Sequence, residues 1–297
     1  DQMKHLYITF ITKISASQLC IGTENSGVYV YDFITRNLEN IQETGLFPGV
    51  TSKHVTACYT DKQDNIWLGT FDRGYYLEIA NKKEFNADNV LNSFMKGKFT
   101  TCIVEDNDEN LWIGTRYSGL ICYSRKTSSF VQYDFSNFLP FSVPSVVHSM
   151  HFSSKGKLWL NYGKKLLACD IKGRIVSYKE IDVPDGIGTI TEDNRGRIWV
   201  GSAQNGVRVY DPEDMHLITA VTPKRSYYNN VPRILKLSSG DMLISSYGEN
   251  VYKVNPNTFE ITPLSENKDI LPYASRAIYL YEDNHHDIWI GTYGEGM

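Results

Sequence analysis

The sequence predicts an all-β protein, a β-propeller of four-stranded antiparallel blades, from three observations. First, a short stretch recurs: Ile66-Trp67-Leu68-Gly69-Thr70, Leu111-Trp112-Ile113-Gly114-Thr115, Leu158-Trp159-Leu160-Asn161-Tyr162, Ile198-Trp199-Val200-Gly201-Ser202 and Ile288-Trp289-Ile290-Gly291-Thr292. Degenerate copies stand at Leu19-Cys20-Ile21-Gly22-Thr23 and Met242-Leu243-Ile244-Ser245-Ser246, so the tryptophan site repeats every 40 to 47 residues. Second, each period holds four short β-type segments. Third, turn residues stand at fixed offsets from the tryptophan site. A period in the forties marks stacked units that cannot bury their apolar faces alone.

The first strand is apolar and β-branched, as in Tyr7 to Thr12, Val55 to Tyr59, Thr100 to Val104, Val146 to Phe152, Gly188 to Thr191, Ile234 to Leu237 and Ala277 to Tyr281. A polar turn follows, with Asp61, Asp106, Ser153, Asp193 or Asp283 six residues before the tryptophan site and Gly156, Gly196 or Gly240 three before it. A side chain able to cap the turn, and a residue tolerant of positive φ, are hairpin chemistry. The second strand is the tryptophan stretch, where a glycine two residues on lets a neighbour come close. Another turn glycine, seven residues on, leads into third strands such as Val28 to Tyr31, Leu120 to Tyr123 and Val207 to Tyr210. Asp32, Asp170, Asp211-Pro212 or Asn255-Pro256 end them. A weaker fourth strand is read in Phe130 to Tyr133, Arg174 to Tyr178, Leu217 to Val221 and Phe259 to Leu264.

Seven first-and-second-strand pairs against six outer pairs predict seven blades, the last incomplete, in a single domain over 1–297. The blades are expected at 5–45, 46–95, 96–140, 141–184, 185–228, 229–270 and 271–297. The alternative is a six-bladed ring with a spare hairpin. The indoles are expected to pack between neighbouring sheets, each burying roughly 150–250 Å², worth at most about 4–6 kcal/mol. Cys20 and Leu243 fill less volume, so those joints are expected to be softer or filled from next door. The pattern differs from WD40, which puts Trp-Asp at a strand end, and from kelch, which needs paired glycines.

A formal charge of -4 with scattered basic residues argues against nucleic-acid or anionic-membrane binding. The five cysteines, Cys20, Cys58, Cys102, Cys122 and Cys169, lack metal-type spacing and are expected to be buried free thiols. No run of about 18 apolar residues is present, and no signal peptide is visible. The final Gly294-Glu295-Gly296-Met297 stops in mid-repeat, so the chain is expected to be a piece of a longer protein.

The run Asp193-x-x-Gly196-x-Ile198-Trp199-Val200-Gly201-Ser202-x-x-x-Gly206-Val207-x-Val209-Tyr210-Asp211 closely resembles the two-component regulator propeller repeat, D-x-x-G-x-I/L-W-I-G-T followed by G-L/V-x-x-Y-D. The copies at Trp67, Trp112 and Trp289 match nearly as well, and the likeness extends over essentially the whole chain. Asn161-Tyr162 in the fourth copy and the missing tryptophan in the sixth depart from it. The resemblance implies the periplasmic sensor region of a hybrid two-component system. In such proteins two propellers and a β-sandwich precede a membrane helix, a histidine kinase and a DNA-binding regulator. It further implies a homodimer, recognition of an oligosaccharide and a role in glycan use.

Position four after the tryptophan site reads Glu24, Phe71, Arg116, Gly163, Ala203, Tyr247 and Tyr293, on loops expected to open on one face. From these and their neighbours the candidate ligand site is Phe71, Asp72, Arg73, Arg116, Tyr117, Gln204, Tyr247 and Tyr293. Aromatic faces stack on sugar rings, while Arg, Asp and Gln bond hydroxyls. Blade-joining loops would add Phe135 to Phe141, Tyr227 to Asn230 and Pro272-Tyr273. The same residues equally suit a docking surface for other domains. No catalytic residue, cofactor or metal site is expected. His148-x-x-His151 would put its imidazoles on opposite strand faces, His285-His286 lies in a turn, and Asp106-x-Asp108-Glu109 lacks the rest of a calcium loop. Two other readings stay open: a propeller lyase or hydrolase acting on a polysaccharide or cyclic peptide, and a protein-docking scaffold.

Overall fold

The computed structural model describes residues 3–41, 49–78, 94–133, 146–172, 175–183, 186–223, 230–265 and 274–297. They form seven antiparallel sheets, each pairing its strands in sequence order. Blades 1 (8–40), 3 (100–133), 4 (150–182), 5 (187–221) and 6 (233–263) have four strands. Among the described residues blade 2 (55–78) has three and blade 7 (277–292) has two. The expected β-propeller is therefore present, and its last blade has only its inner pair.

Seven apolar clusters lie one at each joint between neighbouring blades, including the joint from blade 7 back to blade 1. Each indole enters the blade ahead. Trp67 packs with Ile103, Ile113 and Tyr123, Trp112 with Met150, Leu160 and Tyr162, Trp159 with Ile190 and Val200, and Trp199 with Ile234 and Ile244. Trp289 closes the circle against Tyr31 and Phe33 of blade 1, with ring centroids 5.4 and 5.8 Å away. Where the tryptophan is missing the next blade fills the space. Val55 and Leu68 pack with Cys20, and Ala277 and Leu280 pack with Leu243, both of which are fully buried.

Closure repeats a bond of the joint between blades 1 and 2. The amide of Gly27 donates to Lys53 O at the joint from blade 1 to blade 2, and that of Gly296 donates to Leu6 O at the joint from blade 7 to blade 1. The glycine after the tryptophan makes the close approach possible. A Cβ on Gly201 would lie 2.6 Å from Val231 O, and one on Gly291 would lie 2.6 Å from Ile8 Cγ2. Val231 stands two residues before the first strand of blade 6, and Ile8 opens the first strand of blade 1.

The turn aspartates do more than cap. Asp106 Oδ1 accepts the amides of Asp108 and Asn110, each at 2.9 Å, while its Oδ2 accepts the Trp112 indole N–H at 2.9 Å. The same clip joins Asp61 to Trp67 at 2.7 Å, Asp193 to Trp199 at 2.8 Å and Asp283 to Trp289 at 2.8 Å. Burial pushes the Asp283 carboxyl up, but these bonds outweigh it and hold the group below the usual carboxylate range. Blade 4 has Ser153 at this position, and the Trp159 indole N–H is buried without a partner among the described residues.

Glutamates preceding three of these aspartates reach the other way, to the previous blade. Glu105 accepts the Lys62 amide at 3.2 Å, Glu192 the Ser154 amide at 2.6 Å and Glu282 the Ser238 amide at 2.7 Å. Arg125 adds ion pairs to Asp61 at 2.6 Å and Glu105 at 3.2 Å.

Two expectations change. The first strand of blade 4 is only Met150–Phe152, because Asn161, in the glycine position, turns its Oδ1 to the amides of His148 and Ser149. Of the five free cysteines, Cys20, Cys122 and Cys169 are buried, while Cys58 and Cys102 are half-buried.

Replacing Asp106 with alanine orphans an indole N–H and two amides and is expected to lower unfolding free energy by about 3 kcal/mol. Ser153→Asp, which offers Trp159 its missing acceptor, is expected to raise it by about 1 kcal/mol, the nearby Glu192 carboxylate keeping the gain small. Urea denaturation at neutral pH measures both.

Candidate functional site

The first strands of blades 1, 2, 3, 5 and 7 each carry a register shift against the second strand, leaving one extra residue eleven positions before the tryptophan site. A bulge re-aims its side chain, and four of these five residues, Thr9, Thr56, Thr101 and Ile278, line a cavity of about 390 Å³ at one mouth of the channel. His148 of blade 4 lines it from the same position. The threonine hydroxyls donate to the next blade: Thr9 to Val55 O at 2.5 Å, Thr56 to Thr100 O at 2.6 Å, and Thr101 to Val147 O. With their protons committed, their lone pairs make the cavity floor rich in acceptors.

Above the floor two rings of side chains meet. Residues four after the tryptophan site donate their amides to carbonyls of residues thirteen before it. The pairs are Glu24 with Tyr7, Phe71 with His54, Arg116 with Phe99, Gly163 with Val146, Tyr247 with Asn230 and Tyr293 with Arg276. Side chains from both rings therefore gather at the mouth. His54 stacks on Phe71 with centroids 4.7 Å apart and 9° between planes, Phe71 meets Phe99 at 4.7 Å, and Phe99 meets Tyr117 edge-on at 5.6 Å. On the other side Tyr293 sits between Tyr7 at 4.5 Å and Tyr247 at 6.3 Å. The Arg116 guanidinium lies over Phe71 at 5.6 Å and Tyr117 at 5.5 Å.

Of the residues expected from sequence, Phe71, Arg116 and Tyr293 line the cavity. Tyr117 and Tyr247 touch that lining and are 62% and 39% exposed. Asp72, Arg73 and Gln204 stand outside it: Asp72 accepts the Ser52 hydroxyl, Arg73 pairs with Asp72 at 3.5 Å, and Gln204 is exposed on blade 5. Residues 135–141, 227–229 and 272–273 lie outside the described residues. Sequence reasoning missed His54, Phe99, Tyr7 and His148, although a column thirteen before the tryptophan site would have shown Tyr7, His54 and Phe99 in register.

Burial lowers the His54 pKa, against the pull of the Glu24 and Asp72 charges. For His148, burial and then the Arg116 charge lower it, although its side chain opens on the channel. Both imidazoles therefore favour the neutral form at pH 7, while His151 bonds Glu192 at 3.3 Å. Asp106, the first residue of the calcium-like run, has both oxygens engaged in its turn and its indole.

A family profile described as two component regulator propeller matches residues 49–72, 94–117 and 183–204. These are two component regulator propeller repeats. Two of the matched segments run from six residues before the first strand to the residue after Phe71 or Arg116, so they include His54, Phe71, Phe99 and Arg116 of the mouth. No curated protein matches the chain.

Among solved structures, the extracellular domain of a protein described as a hybrid two component system from B. thetaiotaomicron is similar, with a TM-score of 0.78 and 20% identity over 98% of this chain. The match takes in 39% of that domain, so this chain spans less than half its length. A catalytically inactive virginiamycin B lyase from Staphylococcus aureus, with quinupristin, has a TM-score of 0.74 and 12% identity over 98% of this chain and 94% of its own. PorZ, a surface component of the type-IX secretion system of Porphyromonas gingivalis, has a TM-score of 0.70 and 16% identity over 94% and 44%. At these identities the likeness shows a shared fold. Among the described residues no helix is long and apolar enough to cross a membrane.

The lowered histidines give a signed expectation. Their neutral forms are favoured in the folded state, so their contribution to stability is complete above the ordinary value of 6.5 and is lost as pH falls below it. In Arg116→Ala the His148 titration midpoint, followed by NMR of the imidazole, is expected to rise towards 6.5. An unmoved midpoint would separate the two residues.

Proposed function

We propose that this propeller is the ligand-recognising part of an extracytoplasmic sensor in a hybrid two-component signalling protein. It responds to an oligosaccharide and acts in transcriptional control of glycan use. The observation that carries this reading is the channel mouth, where aromatic faces from Phe71, Phe99, Tyr7 and Tyr293 stand over a floor of threonine oxygens. A sugar offers an apolar ring face to an aromatic side chain and hydroxyl protons to an acceptor, and this mouth presents both. Its volume of about 390 Å³ is within the range of small-ligand pockets. The regulator propeller repeats and the fold shared with a hybrid two component system's extracellular domain support the signalling part. In this reading the chain is one propeller of a longer periplasmic protein, joined to a further propeller, a β-sandwich and a downstream histidine kinase, and working as a homodimer. The propeller itself binds no nucleic acid and carries no chemistry.

A propeller lyase or hydrolase is the second reading, favoured by the two neutral imidazoles, His54 and His148, each able to take a proton at the cavity. An enzyme would release product from the polysaccharide it binds; a sensor returns it intact.

Titration calorimetry with a panel of oligosaccharides tests the proposal. Binding is expected, and Tyr293→Ala, which removes a 47% exposed ring, is expected to weaken it about tenfold, with the melting temperature held to within about 2 °C. Failure of every oligosaccharide would leave the docking scaffold.

A further inference from the structure

Four of the nine described arginines are matched to carboxylates: Arg73 pairs with Asp72, Arg125 with Asp61 and Glu105, Arg197 with Asp193, and Arg276 with Glu295. Arg116 is the arginine at the channel mouth. It lines the cavity, is exposed, and among the described residues has aromatic faces and no ion pair. A guanidinium held over two rings keeps its planar fork of donors free at the edge, and that fork matches a carboxylate with two parallel bonds.

The other charges at the mouth are distributed unevenly. Glu24, the cavity's acidic side chain, comes from blade 1, and its charge acts on His54. Arg116 comes from blade 3 and its charge acts on His148 of blade 4. Next around the ring, position four after the tryptophan site is Gly163 and then Ala203, so at this position the two blades beyond Arg116 offer no large side chain. The cavity lining is thus positive at blade 3 and negative at blade 1.

We infer that the ligand is an acidic sugar, a uronic-acid residue of an oligosaccharide, whose carboxylate is paired by Arg116 while its ring lies against Phe71 and Phe99. This rests on the oligosaccharide reading of the same mouth and narrows it to one class. The threonine oxygens accept from the ring hydroxyls, and the committed anion supplies the partner that Arg116 lacks. A neutral sugar would use the aromatic faces and the floor but leave the guanidinium unanswered.

The test is calorimetry on the 297-residue chain with trimers of galacturonic, glucuronic and mannuronic acid, each against its carboxyl-reduced neutral counterpart, and with a sulfated trisaccharide. At least one uronate trimer is expected to bind about tenfold or more tighter than its reduced counterpart, with the advantage shrinking at high salt. Arg116→Gln is expected to reduce that advantage to about twofold or less without moving the thermal transition. If reduced and acidic trimers bind alike, the acidic assignment fails and the oligosaccharide reading stands. If nothing binds, both fail. Preference for the sulfated sugar alone, or uronate binding indifferent to Arg116→Gln, would overturn the pairing proposed here.

Discussion

The bond from four of the five indole N–H groups to the turn aspartate six residues before them is the constraint on which the rest depends. A tryptophan wedged into the next blade buries a large apolar ring, but its one donor must be satisfied for that burial to be favourable. Asp61, Asp106, Asp193 and Asp283 answer it with one oxygen and hold the turn amides with the other. The same carboxylate therefore fixes the hairpin and aims the ring. Glu105, Glu192 and Glu282, one residue earlier, tie each such turn to the blade behind. Apolar wedge and glutamate latch point in opposite directions around the circle, so blades 3, 5 and 7 are held from both sides.

A circle welded in this way gives the mouth its geometry. Because the first and second strands are pinned at the turn end, the bulge at the opposite end of the first strand falls at one height in several blades. It delivers Thr9, Thr56 and Thr101 to one floor. In six of the seven copies the amide of the residue after the tryptophan stretch then finds the carbonyl thirteen residues before the tryptophan site, bringing Phe71 onto His54 and Arg116 beside Phe99. A cavity of this kind needs no dedicated loop. It is a by-product of the repeat, differentiated by which side chain each copy carries.

Much of this was legible in the chain and some was not. The period, the tryptophans and the Asp/Gly turns announce blades because local chemistry demands those residue types at those offsets. The aspartate was readable as a turn cap, but its bond to the indole follows only once the hairpin folds six residues back on themselves. The glutamate latches cross between blades some forty residues apart and carry no local signature. The extra residue of the bulge is Thr, Gly or Ile in different copies, so no residue type marks it, and with it went Tyr7, His54 and Phe99. Asp72, Arg73 and Gln204 were chosen by proximity in sequence, yet one or two residues past the mouth the chain has already turned outward.

The direct measurement is a double-mutant cycle between Asp106→Ala and Trp112→Phe, read as unfolding free energy in urea. If the carboxylate and the indole act as one device, the two losses fall short of additivity by about 1–2 kcal/mol, because Trp112→Phe already removes the donor that Asp106 serves. Losses that add to within about 0.5 kcal/mol would mean that clip and wedge are independent, and the ring would then owe its closure to apolar packing alone.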